Sequence, residues 1–495
     1  MAIKYSPNQL GIIESPRVYG KEKRVIAYAG CGKSTLLIGY SNARVKQRIL
    51  YICFNTANKN EAKRKFPKHV VTMTMHGLAY QMFGKMFKER LSDKITSADY
   101  LESLASLESD NTKRIALAYH SLKAFEVWCG SADGGPNYQH ILGASLTAVQ
   151  LCEVTAERII EGVLLILKAM RDSSTLPVSH SLYLKMFQLS NPVLPYDTIM
   201  VDEAQDLNAV VQSVLDIQTA EIVKVGDPHQ SIYEFRGAGN FLMDEKESEY
   251  YWLTQTYRFG PNLASLATQI LQKYKGAEKP LVGFGADVAI DDFETMTPEF
   301  KRMREKPLYL MRTKAGIIDQ LSGWIDNENN KNKRIHMPGG SKSYGFSQLM
   351  DAYRLKVKGD AVNSMAAYAS WEQYCSVQEL TGCPDAKASI SLIEKYKGKI
   401  PFLIMQVKKQ ESSKAKADLL ITTAHKSKGL EHPYVILGGD YPNIAKLEEN
   451  GETMPDQEIN LMYVSLTRAE KGIELSTPFK QLLHRCHPST ANSRG

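Results

Sequence analysis

The sequence predicts an α/β protein built on parallel sheets, and three observations carry that expectation. Short aliphatic runs alternate with helical periodicity along most of the chain, the pattern of strand–helix–strand units. The first such run, Arg24-Val25-Ile26, leads into Ala27-Tyr28-Ala29-Gly30-Cys31-Gly32-Lys33-Ser34, a turn of small residues ending in Lys-Ser. A later run, Ile199-Met200-Val201, stops at two adjacent acids, Asp202 and Glu203. A chain of 495 residues exceeds what one core organises, so two to four domains are expected.

The turn from Ala27 to Ser34 has the chemistry of a phosphate cradle. Small residues let backbone N–H groups converge on phosphate oxygens. The Lys33 ammonium reaches the β- and γ-phosphates, and the Ser34 hydroxyl is a ligand for Mg²⁺. A helix expected from about Lys33 adds its positive N-terminal dipole. Ala29, Gly30, Cys31, Gly32, Lys33 and Ser34 are therefore candidate nucleotide-binding residues. Ala27 stands where the pattern has its first glycine, and as the next smallest residue it should keep the turn. In isolation an ordinary glycine-rich turn would look the same.

Further strands are expected at Ile49–Phe54, Thr198–Val201, Glu221–Val225, Leu308–Met311, Leu419–Thr422 and Tyr434–Leu437. Each is short, β-branched or aliphatic, and closed by polar residues or glycine, as strands buried on both faces are. Between Tyr80 and Pro195 the strand signal fades. Helical periodicity takes over there, as in Thr155–Met170, with a loop at Ser131–Asn137. This reads as a helical insertion into the first α/β domain. A second polar break lies at Asn327–Lys333, and the signal is low again from Ser341 to Lys416.

Two further turns carry chemistry. A strand ending in Asp202-Glu203 sets two carboxylates at the carboxyl edge of a parallel sheet, where such sheets bind ligands. There Asp202 would hold Mg²⁺ and Glu203 would take a proton from an attacking water. A surface acidic turn is the blander reading, and the buried strand before it argues against that. The run Val225-Gly226-Asp227-Pro228-His229-Gln230 again takes a strand into a polar turn, with Gln230 able to sense a γ-phosphate. Beyond it, Phe235 and Arg236 set an aromatic platform beside a cation, which suits single-stranded nucleic acid. Taken alone, Phe235 would more often be core.

Composition narrows the field only a little. The net charge of +7 suits a polyanionic partner without demanding one. Seven cysteines, an odd number without a CxxC pair, argue for a reducing compartment. His484-Arg485-Cys486-His487 has no second cluster to complete a metal site, so a polar tail is expected. No apolar leader begins the chain, and Val163–Leu167 is too short to span a bilayer.

With these turns in place, the chain resembles the UvrD/Rep-type superfamily 1 DNA helicases. Within that group the pattern is most similar to the helicase core of the F-box DNA helicases and their viral or bacterial relatives. The motifs occur in family order from Gln9 to Arg468. Ser6-Pro7-Asn8-Gln9 resembles the motif whose glutamine reads the adenine edge. Phe54-Asn55-Thr56 and Thr74-Met75-His76-Gly77 resemble two DNA-contacting motifs. Thr256-Tyr257-Arg258 resembles the motif whose tyrosine packs on adenine and whose arginine contacts the γ-phosphate. Ala424-His425-Lys426-Ser427-Lys428-Gly429-Leu430-Glu431 resembles the motif joining DNA contacts to a ribose-binding glutamate. Tyr463-Val464-Ser465-Leu466-Thr467-Arg468 resembles the last, with Arg468 as the second arginine finger.

The resemblance implies two RecA-like P-loop NTPase domains, parallel sheets flanked by helices, using ATP and Mg²⁺. Residues 1–84 and 191–258 would form the first, with a helical insertion at 85–190. Residues 259–345 and 417–487 would form the second, with a small insertion at 346–416, and 488–495 a disordered tail. Lys33, Asp202, Glu203, Gln230, Arg258 and Arg468 would be catalytic, with Ser34 and Asp202 holding the metal. If Arg258 and Arg468 lie mainly with the second domain, their full engagement requires the domains to close. Phe54, Asn55, His76, Phe235, Arg236 and His425 would contact DNA. For each the alternative is structural, a hydrogen-bonded histidine or a packed phenylalanine.

Three departures stand out. Thr35 occupies a place where the family often has an adenine-stacking arginine, so Tyr257 would hold one face of the base and Gln9 its edge. The interval from Gly340 to Thr422 is short for the helical domain that larger relatives carry there. The chain starts almost at Gln9 with no F-box before it, so ubiquitin-ligase coupling is not expected. That start and the lack of localisation signals favour a virus, phage or bacterium, hence the cytoplasm, over a eukaryotic nucleus.

The resemblance therefore implies a helicase or translocase running 3′→5′ on single-stranded DNA. Single-stranded and forked DNA are the expected partners, with replication or recombination proteins as further ones and no membrane. A second reading, motivated by the short interval before Thr422, is an ATP-dependent remodeler that strips recombinase filaments and unwinds weakly. A single-strand binding module with a vestigial nucleotide site is disfavoured by the intact set of charged residues.

Overall fold

The computed structural model describes residues 4–17, 22–53, 55–144, 154–234, 237–244, 248–291 and 306–486. Phe54, Phe235, Arg236 and the tail at 488–495 lie outside the described residues. Two six-stranded parallel sheets organise the chain. The first contains β1 (Glu22–Ala27), β2 (Ile49–Ile52), β3 (Val70–Met73), β4 (Thr198–Val201), β5 (Glu221–Gly226) and β6 (Ser248–Leu253). Their order is β3-β2-β4-β5-β1-β6. The second contains β7 (Ala289–Ile290), β8 (Leu308–Met311), β9 (Ile335–His336), β10 (Leu419–Thr423), β11 (His432–Leu437) and β12 (Ala469–Glu474). It is ordered β7-β12-β11-β8-β10-β9.

Strands β2 and β4 are buried at every position, which is why they read as continuous apolar runs. β4 and β8 match their predicted spans, and the other predicted strands agree to within about two residues at each end. β3 and β6 are the edges of the first sheet and only partly buried. Their mixed sequences carried no clear strand signal. β1 is buried throughout although it opens with Glu22, Lys23 and Arg24. Those charges are paired inside: Lys23 Nζ lies 3.0 Å from Glu221, and Lys224 Nζ lies 2.8 Å from Glu22.

Helix α1 (Lys33–Asn42) follows the first turn, starting at the residue the sequence indicates. Between β3 and β4 lie α2 (Asn111–Gly130) and α3 (Ala156–Asp172), packed on one another. Thr155, expected as the first residue of α3, is its N-cap and accepts from the Arg158 N–H at 3.4 Å.

The stretch from Ser341 to Lys416, of low signal in the sequence, holds four helices. They are Phe346–Lys358, α4 (Trp371–Thr381), Pro384–Tyr396 and Lys399–Gln410. Their buried residues, among them Leu349, Leu355, Ile393, Ile400 and Leu403, join one apolar core with Ile335, Leu419 and Ile421 of the second sheet. α4 touches α2: the Gln373 side-chain amide donates to Thr112 Oγ1 at 3.1 Å, and His120 Nε2 lies 3.2 Å from the Leu380 carbonyl.

Helix α5 (Asp456–Leu466) leads into β12, is buried from Ile459 to Leu466, and packs on the helix Pro261–Lys275. It joins the two sheets. Among the described residues no helix is long and apolar enough to cross a membrane.

Candidate active site

The phosphate loop turns sharply where β1 ends. Gly30 and Gly32 hold φ values of +74° and +78°, a left-handed backbone that glycine adopts without a Cβ penalty. At Gly32 a Cβ would stand 2.9 Å from the Gln9 amide nitrogen, and at Gly30 it would meet Thr256 Oγ1 and Arg258 Cβ. Ala27 closes β1 with its side chain fully buried, before the left-handed positions begin, so a methyl is tolerated there. α1 starts at Lys33, and the Ser34 side chain is exposed beside it.

Lys33 Nζ lies 3.5 Å from Glu203 Oε2. Burial alone would lower the Lys33 pKa, yet Glu203, Asp227 and Asp202 together hold it above its ordinary value. Burial raises the Asp202 carboxyl, and the Glu203 charge beside it adds to that. Glu203 is shifted the other way: burial opposes ionisation, but Lys33 and Lys428 hold it below the usual carboxylate range. The two acids therefore differ in environment, Asp202 held toward its protonated form and Glu203 toward its charged one. Glu203 has φ +52°, a conformation that costs a non-glycine residue roughly 1 kcal/mol or more and clusters at functional sites. Tyr51, which sequence reasoning missed, donates its hydroxyl to Asp202 Oδ2, and the Glu203 N–H donates to Asp202 Oδ1 at 2.9 Å.

A hydrogen-bond chain runs on from Glu203. The Gln205 amide donates to Glu203 Oε2 at 2.7 Å, and Gln205 Oε1 accepts the Asp227 N–H at 3.1 Å. Gln230 donates to Asp227 Oδ2 at 2.8 Å. Tyr463 of α5 donates to the same oxygen at 3.1 Å and accepts the Ala29 N–H at 3.2 Å. Asp227 and Tyr463 lie within motifs quoted above and Gln205 two residues beyond Glu203, yet the sequence alone assigned none of them a role.

The arginines meet from opposite sides. Arg258 lies with the first sheet, because the Tyr257 N–H donates to the Gly30 carbonyl at 3.1 Å. The condition that it lie mainly with the second domain is therefore not met: β6 runs beside β1, and its continuation is stitched to the phosphate loop. From there its guanidinium reaches the second lobe, donating to the Thr467 carbonyl at 2.9 Å and pairing with Glu431. Arg468 is 2% exposed and donates to the Val464 and Leu430 carbonyls at 2.8 and 3.1 Å. Burial, with Arg258 nearby, pushes its pKa down to about 9.

Near the loop, Gln9 both completes a capping box with Ser6 and donates to the Gly32 carbonyl at 3.4 Å. Ser6, Asn8, Cys31, Leu253, Thr254, Gln255 and Tyr257 line one small pocket there. Tyr257 is 54% exposed, its ring 6.0 Å from Phe284, itself exposed and not anticipated. Thr35 is half-buried on α1.

Of the described DNA candidates, Asn55 is exposed and caps the helix Thr56–Lys65, accepting the Asn58 N–H at 2.8 Å. The exposed His76 stands edge-on to Tyr183 at 6.0 Å. It lines a cavity of about 100 Å³ with Asp202, Glu203, Asp206 and Asn208. His425 follows β10 on the second sheet, and its carbonyl accepts from the Tyr233 hydroxyl at 3.1 Å. Lys428, three residues on, pairs with the buried Asp206 and donates to the Gln230 carbonyl at 2.6 Å. It too was missed, since a lysine in a polar run reads as a solvated one.

The family model described as the UvrD/REP helicase N-terminal domain matches residues 185–251, a span holding β4, Asp202, Glu203 and Gln230. The chain is 28% identical to F-box DNA helicase 1 of Gallus gallus over 97% of its own length. Resemblance to UvrD/REP-type helicases is thereby shown. It is 27% identical to F-box DNA helicase protein 1 of Schizosaccharomyces pombe over 95% of its length. A shorter stretch, 19% of the chain, is 35% identical to 14% of DNA helicase II of Escherichia coli. The chain spans about half the length of the curated relatives it matches, 50% of the chicken protein and 57% of the yeast one. The α/β architecture, with parallel sheets flanked by helices, agrees with a two-domain RecA-like helicase fold.

Proposed function

We propose that this chain is an ATP-dependent DNA helicase that moves 3′→5′ on single-stranded DNA and unwinds forked duplex. One observation carries the reading: Lys33, Glu203 and Arg258 face Arg468 and Glu431 across a single cleft between two parallel sheets. Phosphoryl transfer needs positioning and charge neutralisation above all, and this cleft supplies cations from both walls. Lys33, Arg258 and Arg468 would neutralise the γ-phosphate, Gln230 would sense it, and Glu203 would accept the proton of the attacking water. Ser34 and Asp202 offer a hydroxyl and a carboxylate, the hard oxygen donors that fit Mg²⁺ alongside phosphate oxygens and water. That ion would supply charge neutralisation at the phosphates.

Adenine would sit by Tyr257, Gln9 and Thr35, and the ribose by Glu431, which releases Arg258 when nucleotide enters. Phe54, Asn55, His76, Phe235, Arg236 and His425 would carry the DNA across both domains. The domain limits would be 1–84, 85–190, 191–258, 259–345, 346–416 and 417–487. Lobe separation, set by nucleotide state, would shift the grip from one sheet to the other. Replication or recombination proteins would be its partners, in the cytoplasm of a bacterium or phage-infected cell, or in a nucleus if the source is eukaryotic.

The test is ATPase and strand displacement on 3′-tailed and 5′-tailed duplexes, with Lys33→Ala as control. DNA-stimulated turnover with unwinding of the 3′-tailed substrate is expected, and no DNA-stimulated turnover would overturn the reading. The compact four-helix insertion between Ser341 and Lys416 favours a second reading, a remodeler that strips recombinase filaments. Strong processive unwinding by the monomer would count against it.

A further inference from the structure

Segment Asp227–Ser231 belongs to the first sheet, where it leaves β5, but side chains of the second lobe hold it. Gln457 and Asn460 donate to the Ser231 carbonyl at 3.0 and 2.8 Å. Lys428 donates to the Gln230 carbonyl at 2.6 Å, and Tyr463 donates to Asp227 Oδ2 at 3.1 Å. Tyr463 differs from the other three. Its hydroxyl also accepts the Ala29 N–H, so one atom touches the phosphate loop and the Asp227 carboxylate together. Its side chain is fully buried on α5, with the His229 ring edge-on at 6.3 Å. The ring fills space between lobes; the hydroxyl alone makes the link.

We infer that Tyr463 is a cross-lobe positioning residue whose hydroxyl ties the phosphate loop to Asp227 and, through Asp227, sets Gln230. The chain of atoms is Ala29 N–H, Tyr463 oxygen, Asp227 Oδ2 and the Gln230 side-chain amide. A phenol that donates to a carboxylate keeps its lone pairs for the loop N–H, so the two bonds support one another. When the lobes part, all of these contacts change together. Gln230 is thus correctly placed only with the second lobe seated, which makes hydrolysis depend on closure. This inference rests on the ATP-driven reading above for its consequence in turnover, while the link itself can be read without nucleotide.

The experiment uses the full chain and two variants, Tyr463→Phe and Asp227→Ala. Tyr463→Phe keeps the ring and removes the hydroxyl; Asp227→Ala removes its acceptor and reads the same link should the phenylalanine variant fail to fold. Hydrogen exchange without nucleotide should quicken about tenfold within residues 27–34 in either variant. Strands β2 and β4 should exchange as in the parent chain. DNA-stimulated kcat should fall about tenfold with KM for ATP within about twofold, and the double variant should lose no more than either single one. Unchanged exchange at 27–34, faster exchange throughout both sheets, an unaffected kcat, or losses that multiply would each overturn the inference. If the parent chain itself shows no ATPase, the proposed function falls and the exchange result alone decides the link.

Discussion

Glu203 reaches Lys33 from a left-handed backbone, its Oε2 lying 3.5 Å from the ammonium. Each partly neutralises the other. On the proposed reading, phosphate oxygens would compete for Lys33 and leave Glu203 to accept a proton.

Glu203→Gln should therefore separate binding from chemistry. The amide keeps the side-chain shape but cannot act as base. Turnover is expected to drop by about 10²- to 10⁴-fold. ATP should still bind, leaving a long-lived complex on single-stranded DNA. Steady-state ATPase with filter binding measures both, and near-normal turnover would remove Glu203 from the base role.

Arg258 pairs with Glu431 while its guanidinium also meets the Thr467 carbonyl. Glu431 is 44% exposed, so the ion pair itself contributes less than about 1 kcal/mol to stability. Arg258→Ala should lower the rate of hydrolysis by about 10³-fold, the scale of an arginine finger, with little change in Tm. Single-turnover hydrolysis beside a thermal scan distinguishes the roles. A large fall in Tm with modest loss of rate would make Arg258 a structural strut.

Much of this was legible in residues, and the exceptions have physical causes. Thr198–Val201 and Leu308–Met311 read correctly because a strand buried on both faces must be apolar throughout. Lys33 was placed at a helix start because the phosphate-loop pattern ends there, and the helix does begin at Lys33, just after the left-handed Gly32. β6 escaped notice because an edge strand needs no such pattern. Glu22 and Lys23 hid the first two residues of β1, since their partners Lys224 and Glu221 are about 200 residues away along the chain. Tyr51, Gln205, Lys428 and Tyr463 were missed for one reason. Each matters through a partner brought close only by the fold, and its own type and spacing are unremarkable.

Asp206 predicts a pH dependence. Its carboxyl is pushed up to about 6, chiefly by burial, against the pull of Lys428. A carboxyl that holds its proton more tightly folded than unfolded stabilises the fold at low pH. That contribution fades as pH rises from the ordinary carboxylate value, about 4, through about 6. Asp206→Asn removes the titration. Its unfolding free energy should gain on that of the parent by on the order of 2–3 kcal/mol between pH 4 and pH 7. Denaturant titrations at several pH values give the difference, and parallel curves would show that Asp206 titrates normally.

Lys23 gives the sharpest stability test. Its ammonium lies 3.0 Å from Glu221 and 3.1 Å from the Tyr40 hydroxyl, with both charged side chains fully buried. Burial lowers its pKa, and Glu221 opposes that shift. Lys23→Met would leave Glu221 buried without its cation, at a cost of about 3–5 kcal/mol. Replacing both members, Lys23→Met with Glu221→Gln, removes the stranded charge and should recover most of the loss. The midpoint of denaturant unfolding at neutral pH reads each variant. β1 runs beside β5 from Glu22 to Ile26 and delivers the phosphate loop to the sheet edge, as β5 delivers Asp227. If the pair also pins that alignment, the double variant should regain stability while its KM for ATP stays raised. Full recovery of both would make Lys23 and Glu221 replaceable filling between the two strands.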